Sequence, residues 1–361
     1  MTTSQNKIPL AWIHSPLVDL MYFDFAWVWP CLMYFWLGHY VDRLTCDYVN
    51  ISQCSAWTRE LTVSMLLLLS IHRNYTFVFV YCDRSEFARN RPLYTWAPVV
   101  FFALLFPFAF YEKIPAPYGE YSRIALLAIT MPNGLWNVFH VFLQKYGFLR
   151  AYGVRLCYGS ARLEKTLILS WLVCGFLMLV SKYDDSVFYM RMASRNAFYL
   201  ARYMPLIHAL RSLFYPALVW VVTVTACWIV QEYRNFSRAS VPKLIYAAAT
   251  ALVCACFAYS IILGFIALAA SHAFEYIAFV NIYGRRKPGV PAWIRNPLIL
   301  NPVVIGAVLC IYLVLKPLIG IRGVFMAYVN CESYLHFLFD GKLWRLRDDA
   351  VKETVMKMGT V

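Results

Sequence analysis

Long apolar blocks separated by short basic loops are the feature that most constrains how this chain can fold. Ten such blocks recur along the 361 residues, and most approach the length of about 20 apolar residues that a helix needs to cross a bilayer. Only 14% of the residues are charged, against roughly 25% in a soluble domain. The pattern therefore predicts an all-α, polytopic integral membrane protein with about ten transmembrane helices.

The basic residues predict how these helices are oriented. Loops after even-numbered blocks, together with both ends, carry 21 Lys and Arg, whereas loops after odd-numbered blocks carry 10. The positive-inside rule then places both termini in the cytoplasm, and a net charge of +14 distributed in this way does not indicate a nucleic-acid partner. We treat residues 1–361 as a single transmembrane domain, with a lead-in at 1–20 and a cytoplasmic tail at 341–361. The expected location is the cytoplasmic (inner) membrane of a bacterium.

Three blocks carry specific expectations about their helices. The apolar run 244–283 would extend over ~60 Å as one helix, so we predict two helices that meet near residues 260–264. Pro132 should kink or break block four. Block six is predicted as one helix, Met204 to Gln231.

Familiar chemical motifs are missing from the sequence. There is no Gly-rich phosphate loop, no dinucleotide fingerprint and no G-x-S-x-G elbow. The eleven cysteines are scattered without zinc-ribbon spacing. Cys46 and Cys54 share one predicted outside loop, where a disulfide and two free thiols are both open.

Two carboxyl groups and an imidazole recur every four residues in the stretch NCESYLHFLFDGKLWR, which ends the last apolar block. Glu332, His336 and Asp340 would therefore lie on one face of a helix. Such groups inside a membrane require a partner, a metal or a water-filled cavity. For Asp340 an alternative is open, because Asp340-Gly341 is also a typical helix end.

Four histidines are predicted to share one depth in the membrane. Each histidine precedes the first Arg after its own apolar block, by 12, 10, 13 and 9 residues in chain order. At about 1.5 Å per residue, all four lie roughly 13–20 Å from that end of helices that run in the same direction. Imidazole is a natural ligand of iron, copper and zinc, and helix bundles build metal sites from facing helices. We therefore predict one shared metal site, with these ligands: His72, His140, His272 and His336.

Polar neighbours of these histidines are the candidate catalytic and orienting groups. Glu275 follows His272 by three residues, Glu332 precedes His336 by four, and Asp340 follows His336 by four. Each of these carboxylates could orient an imidazole or bind the metal, so Asp340 is a possible additional ligand. Gln144 and Asn137 could position a bound water or oxygen. Arg73 must be neutralised by Glu332, by Glu275 or by an anionic substrate head group.

A family resemblance points in the same direction as the histidines. The histidine-bearing strings are FHVFLQKYG, SHAFEYIAFV and YLHFLFDGKLWR. In plan, the chain resembles the bacterial Brp/Blh-type carotenoid dioxygenases, and this resemblance implies a polytopic membrane protein in which histidines hold a non-haem iron that cleaves an apolar polyene. The closely paired histidines and PHG-like strings of that family are missing here, as are the H-x-x-H-H boxes of membrane desaturases, so no residue role is carried over.

The function that these patterns favour is an intramembrane metal-dependent oxidoreductase of the oxygenase, desaturase or hydroxylase type. Iron is the first choice of metal, with zinc or copper as alternatives. The substrate would be a lipid or an isoprenoid-like molecule, and an electron-donor protein is a candidate partner. Three other functions use the same residues: a zinc-dependent membrane hydrolase, a transporter or proton relay, and a haem protein with two axial histidines.

Overall fold

Helices make up the part of the chain that the structure describes. The computed structural model covers residues 11–37, 55–182, 197–235, 240–319, 322–345 and 348–357, and no strand occurs in these ranges. Cys46 and Cys54, with their proposed disulfide, lie outside them. The main helices are α1 (Val28–Leu37), α2 (Ala56–Cys82), α3 (Arg91–Ala109), α4 (Tyr118–Arg155), α5 (Ala161–Lys182), α6 (Ala197–Ser212), α7 (Phe214–Arg234), α8 (Val241–Tyr259), α9 (Ile261–Arg286), α10 (Pro297–Ile319), α11 (Arg322–Leu343) and α12 (Asp349–Lys357).

Six segments of the described chain are long and apolar enough to cross a membrane, which makes this an integral membrane protein. The prediction of about ten spans and the cytoplasmic placement of both termini stay predictions. At the other four predicted positions the structure has the shorter or more polar helices α1, α5, α8 and α11. The six candidate spans are Ala56–Cys82, Arg91–Lys113, Tyr118–Arg155, Met204–Arg234, Ile262–Arg286 and Pro297–Val314.

The helix boundaries agree with one expectation and differ from another. The division of the apolar run 244–283 is confirmed, because Ser260 has an extended backbone between α8 and α9. Block four does not break at Pro132, since α4 continues through it as one helix of 38 residues, and a kink there stays a prediction. Block six is interrupted at Leu213, where α6 ends and α7 begins. Pro216 lies in the first turn of α7, a position that tolerates its missing N–H.

The chain divides into two compact units, and the division falls inside α2, α4 and α9. The single transmembrane domain stays a prediction. The first unit takes the chain up to Met65 together with Phe142–His272. Its most polar feature is a buried ammonium, Lys243, which lies 2.7 Å from Glu164 and 2.6 Å from Glu232. Charges buried in this way require close partners, and these join the ends of α5, α7 and α8.

The second unit takes Leu66–Val141 and Ala273–Val361, and α11 runs through it. The first half of α11 packs on α3 through small and branched side chains, in a cluster with Leu105, Ala109, Val324 and Ala327. Gly323 faces the carbonyl oxygen of Ala109 so closely that a Cβ atom would not fit there. The second half of α11 carries the polar stripe 332–340. The expected tail at 341–361 contains α12, which buries Val351 and Val355.

An ion pair in the second unit joins the chain just after α2 to the chain just after α9. Asp83 caps the short helix Arg84–Arg89 by accepting from the backbone N–H groups of Ser85 and Glu86, and its carboxylate lies 2.7 Å from Lys287. Burial alone would raise the pKa of Asp83, but the hydrogen bond and the positive charge of Lys287, with the bond from Ser85, bring the pKa below its ordinary value. The ionised carboxylate therefore stabilises the folded state.

Asp83→Asn should lower stability in detergent at neutral pH by about 1–2 kcal/mol, because the ion pair with Lys287 and the negative charge at the N-terminus of the helix Arg84–Arg89 are both lost. A carboxyl group with a lowered folded-state pKa stabilises fully above its unfolded pKa of about 3.9, and this contribution is lost as the pH falls through the lower folded value. The stability difference between wild type and variant should therefore close below about pH 4. Thermal unfolding across pH measures this. Asp348→Asn is the control, since Asp348 meets Arg89 only at 3.8 Å on the surface; equal pH profiles for the two variants would contradict the prediction.

Candidate metal centre

Two imidazoles and one carboxylate meet in the second unit. His140 comes from α4, and His336 and Asp340 lie one turn apart on α11. The Oδ2 atom of Asp340 lies 3.7 Å from Nε2 of His140 and 3.5 Å from Nε2 of His336. The ligand atoms of all three residues lie within 4.8 Å of one another, and these residues are buried or half-buried. This His/Asp cluster could hold a transition metal.

The other oxygen of Asp340 is held by three donors. Its Oδ1 atom accepts from Thr76 Oγ1 at 2.7 Å, from Tyr276 OH at 2.8 Å and from Trp344 Nε1 at 3.0 Å. The donors come from α2, from α9 and from the turn after α11. They fix the carboxylate so that Oδ2 is directed at the two imidazoles.

The hydroxyl of Thr76 also contacts His336. It lies 2.8 Å from Nδ1 of that histidine and 2.6 Å from the hydroxyl of Tyr276, so one polar network joins the Asp340 carboxylate to the imidazole. In the tautomer in which Nδ1–H donates to Thr76, Nε2 carries a lone pair that lies 3.5 Å from Asp340 Oδ2. Two electron-rich atoms at that distance favour a cation between them.

The spacing of the ligand atoms suits a metal ion of ordinary size. Nitrogen and oxygen ligands lie about 2.0–2.2 Å from zinc, so two ligands at a tetrahedral angle are separated by roughly 3.4 Å. The two separations from Asp340 Oδ2, 3.5 and 3.7 Å, are close to this value. The contact of His336 Nδ1 with Thr76 is also of the kind that the second ring nitrogen of a metal-bound histidine typically makes.

Whether the other two predicted histidines are ligands stays a prediction. His72 is buried beside the cluster, and its ring packs edge-to-face on His336 with centroids 4.9 Å apart. It stays a candidate for a further ligand. His272 is also buried, but it is the last residue of the first unit. Of the histidines not predicted as ligands, His208 is exposed on α6.

Glu332 belongs to a second polar group, formed with Arg73. Its Oε1 atom accepts from Ser70 at 2.7 Å and from Asn74 at 2.8 Å, while its Oε2 atom lies 3.4 Å from Arg73. These contacts place Glu332 in the Arg73 group, and its role as a metal ligand or histidine-orienting group stays a prediction. Of the partners considered for Arg73, the structure selects Glu332.

The remaining predicted residues are spread over both units. Asn137 accepts from Arg73 at 3.2 Å and donates to Ser333 at 3.2 Å, so it joins the Arg73 group. Gln144 belongs to the first unit, where it donates to the backbone carbonyl of His272 at 3.1 Å. Glu275 is fully buried on α9, next to Tyr276.

Sequence reasoning missed the residues that orient the cluster. The hydroxyl of Thr76 lies four residues after His72, and Tyr276 lies four residues after His272. Trp344 likewise follows Asp340 by four and extends the stripe on α11. The same period that identified the stripe would therefore have identified its supporting groups, had uncharged polar side chains been included.

Thr76→Val should weaken metal binding by about 10–100-fold, as the loss of a second-sphere hydrogen bond typically does. The substitution nearly keeps the side-chain volume but removes the group that holds both Asp340 and His336. Chelator competition on purified protein measures the affinity. Thr250→Val is the matched control, because Thr250 is equally buried but bonds only the carbonyl of Tyr246 in its own helix. Equal affinities in the two variants would show that Thr76 has no such role.

Comparisons with known proteins do not add to this geometry. No protein-family model, no curated protein and no solved structure matches the chain. The function of the cluster is therefore inferred from its own residues, as a buried His/Asp group in a helical membrane protein.

Proposed function

We propose that this protein is an intramembrane metal-dependent oxidoreductase of the oxygenase, desaturase or hydroxylase type. The observation that carries the proposal is the donor set of His140, His336 and Asp340, with one carboxylate oxygen held by three donors and the other directed at two imidazoles. Two histidines and one carboxylate with open positions are typical of non-haem Fe(II) oxygenases. Iron in such a site supplies the oxidising chemistry.

The side chains around the cluster orient the Asp340 carboxylate and exclude water from His336. Thr76, Tyr276 and Trp344 keep the carboxylate fixed before any ligand arrives, so that little reorganisation is needed. Aromatic rings enclose His336, which is fully buried, with His72 at 4.9 Å and Tyr276 at 5.5 Å between centroids. His140 is the most accessible of the three, with 15% of its side chain exposed, and it marks the side from which a substrate can approach.

The substrate class follows from this location. The side chains exposed beside His140 on α4 are apolar, among them Trp136 and Val138, and α4 is a candidate membrane span. A lipid or isoprenoid-like molecule dissolved in the bilayer would reach the site sideways between helices. Turnover would require an electron-donor protein at the cytoplasmic face. The basic loops support a bacterial cytoplasmic membrane with both termini inside.

Zinc-dependent hydrolysis is the second candidate. The nearly tetrahedral spacing of the ligand atoms favours zinc as much as iron. In that case a bound water would be the nucleophile, and a carboxylate would act as base. The two candidates differ in colour and redox behaviour, because zinc is silent in both.

Metal analysis of the purified full-length protein tests the proposal. We expect about one equivalent of transition metal in the wild type and its loss in His336→Ala and Asp340→Ala, since each removes one of three ligands. His208→Ala is the matched control, because it removes an exposed histidine elsewhere and should keep the metal. His72→Ala and His272→Ala determine whether the other predicted histidines contribute.

Two results would overturn the metal centre. One is wild-type protein without metal after purification and reconstitution, and the other is unchanged metal content in both His336→Ala and Asp340→Ala. Iron with a one-electron redox response would favour the oxidoreductase, whereas stoichiometric zinc in a colourless protein would favour the hydrolase.

A further inference from the structure

Arg73 is a buried guanidinium whose donors are mostly unused. It is 6% exposed, and its guanidinium donates to Glu332 at 3.4 Å and to Asn137 at 3.2 Å. Among the described residues its Nε atom has no hydrogen-bond partner. A guanidinium has five N–H donors in a planar fork that fits carboxylates, so this residue can accept a further anionic partner.

Glu332 does not satisfy this guanidinium. The carboxylate is held through Oε1 by the neutral donors Ser70 and Asn74, at 2.7 and 2.8 Å, and only Oε2 is directed towards Arg73. Close charge-assisted bonds are about 2.7–2.9 Å long, which is much shorter than 3.4 Å. Glu332 therefore balances the charge of Arg73 but leaves most of the guanidinium N–H donors without a close carboxylate partner.

Asn137 connects the guanidinium to the metal cluster and to the surface of α4. It accepts from Arg73, and His140 follows it by three residues, which is about 4.5 Å along a helix. Asn137 is itself half-buried, and exposed Trp136 and Val138 flank it in the sequence. A ligand whose polar head reached Arg73 here would have its apolar chain next to the apolar side chains of Trp136 and Val138.

From these observations we infer that Arg73 anchors the carboxylate of a long-chain acid, which is the substrate class of the proposed enzyme. This inference rests on the proposed metal centre. The short distance from anchor to cluster places the carbon atoms next to the carboxylate, rather than the middle of the chain, beside His140.

Binding of palmitate and of methyl palmitate to the full-length protein in nanodiscs tests this assignment. The two probes share the same chain and differ in charge. Wild-type protein should bind palmitate at least tenfold more tightly than the ester. The double variant Arg73→Gln with Glu332→Gln should lose that preference, and it leaves neither partner charge buried alone. Arg73→Lys keeps the charge without the fork and should give an intermediate preference.

The matched control is Arg123→Gln with Glu120→Gln, which removes an ion pair of the same kind from the exposed start of α4 and should keep the preference. Equal binding of the two probes to wild type, or an unchanged preference in the Arg73/Glu332 double variant, would overturn the anchor. Metal content is measured on the same samples. Retained metal with no palmitate preference rejects only the anchor, whereas wild-type protein without metal rejects the proposed function.

Discussion

The candidate site depends on the hydrogen bonds that hold the Asp340 carboxylate. Lipid offers no hydrogen bonds, so each polar group within a membrane bundle must find its partner in the protein. Here three donors from separate parts of the chain hold a single oxygen, Oδ1. The second oxygen, Oδ2, is thereby given a fixed direction. The Nε2 atoms of His140 and His336 both lie near this oxygen, so the candidate site depends on its position.

Much of the site could be predicted from residue spacing. The four-residue period of the stripe on α11 placed Glu332, His336 and Asp340 on one face, and equal depth selected His140 for the same layer. These arguments succeed because helix geometry is local and regular. The division of the apolar run at Ser260 followed equally from length alone.

What spacing could not supply is how each side chain is used. Glu332 and Asp340 have the same relation to His336, four residues before it and four after it, yet one carboxylate pairs with Arg73 and the other faces the imidazoles. Which of them meets which neighbour is decided by α2 and α4, far away in sequence. At Pro132 the helix continues, although a break was one of the two predicted outcomes, because the freed carbonyl of a membrane helix can be satisfied by surrounding groups.

The three donors to Asp340 also have an implication for how the protein is made. Thr76 and His140 are synthesised before Asp340 and Trp344, which follow them in the sequence by about 200 residues or more. Until then the early helices carry polar groups whose eventual partners do not yet exist. The nascent protein must therefore complete insertion of α11 before the centre can assemble, and truncated chains would leave these groups exposed to lipid or to quality control.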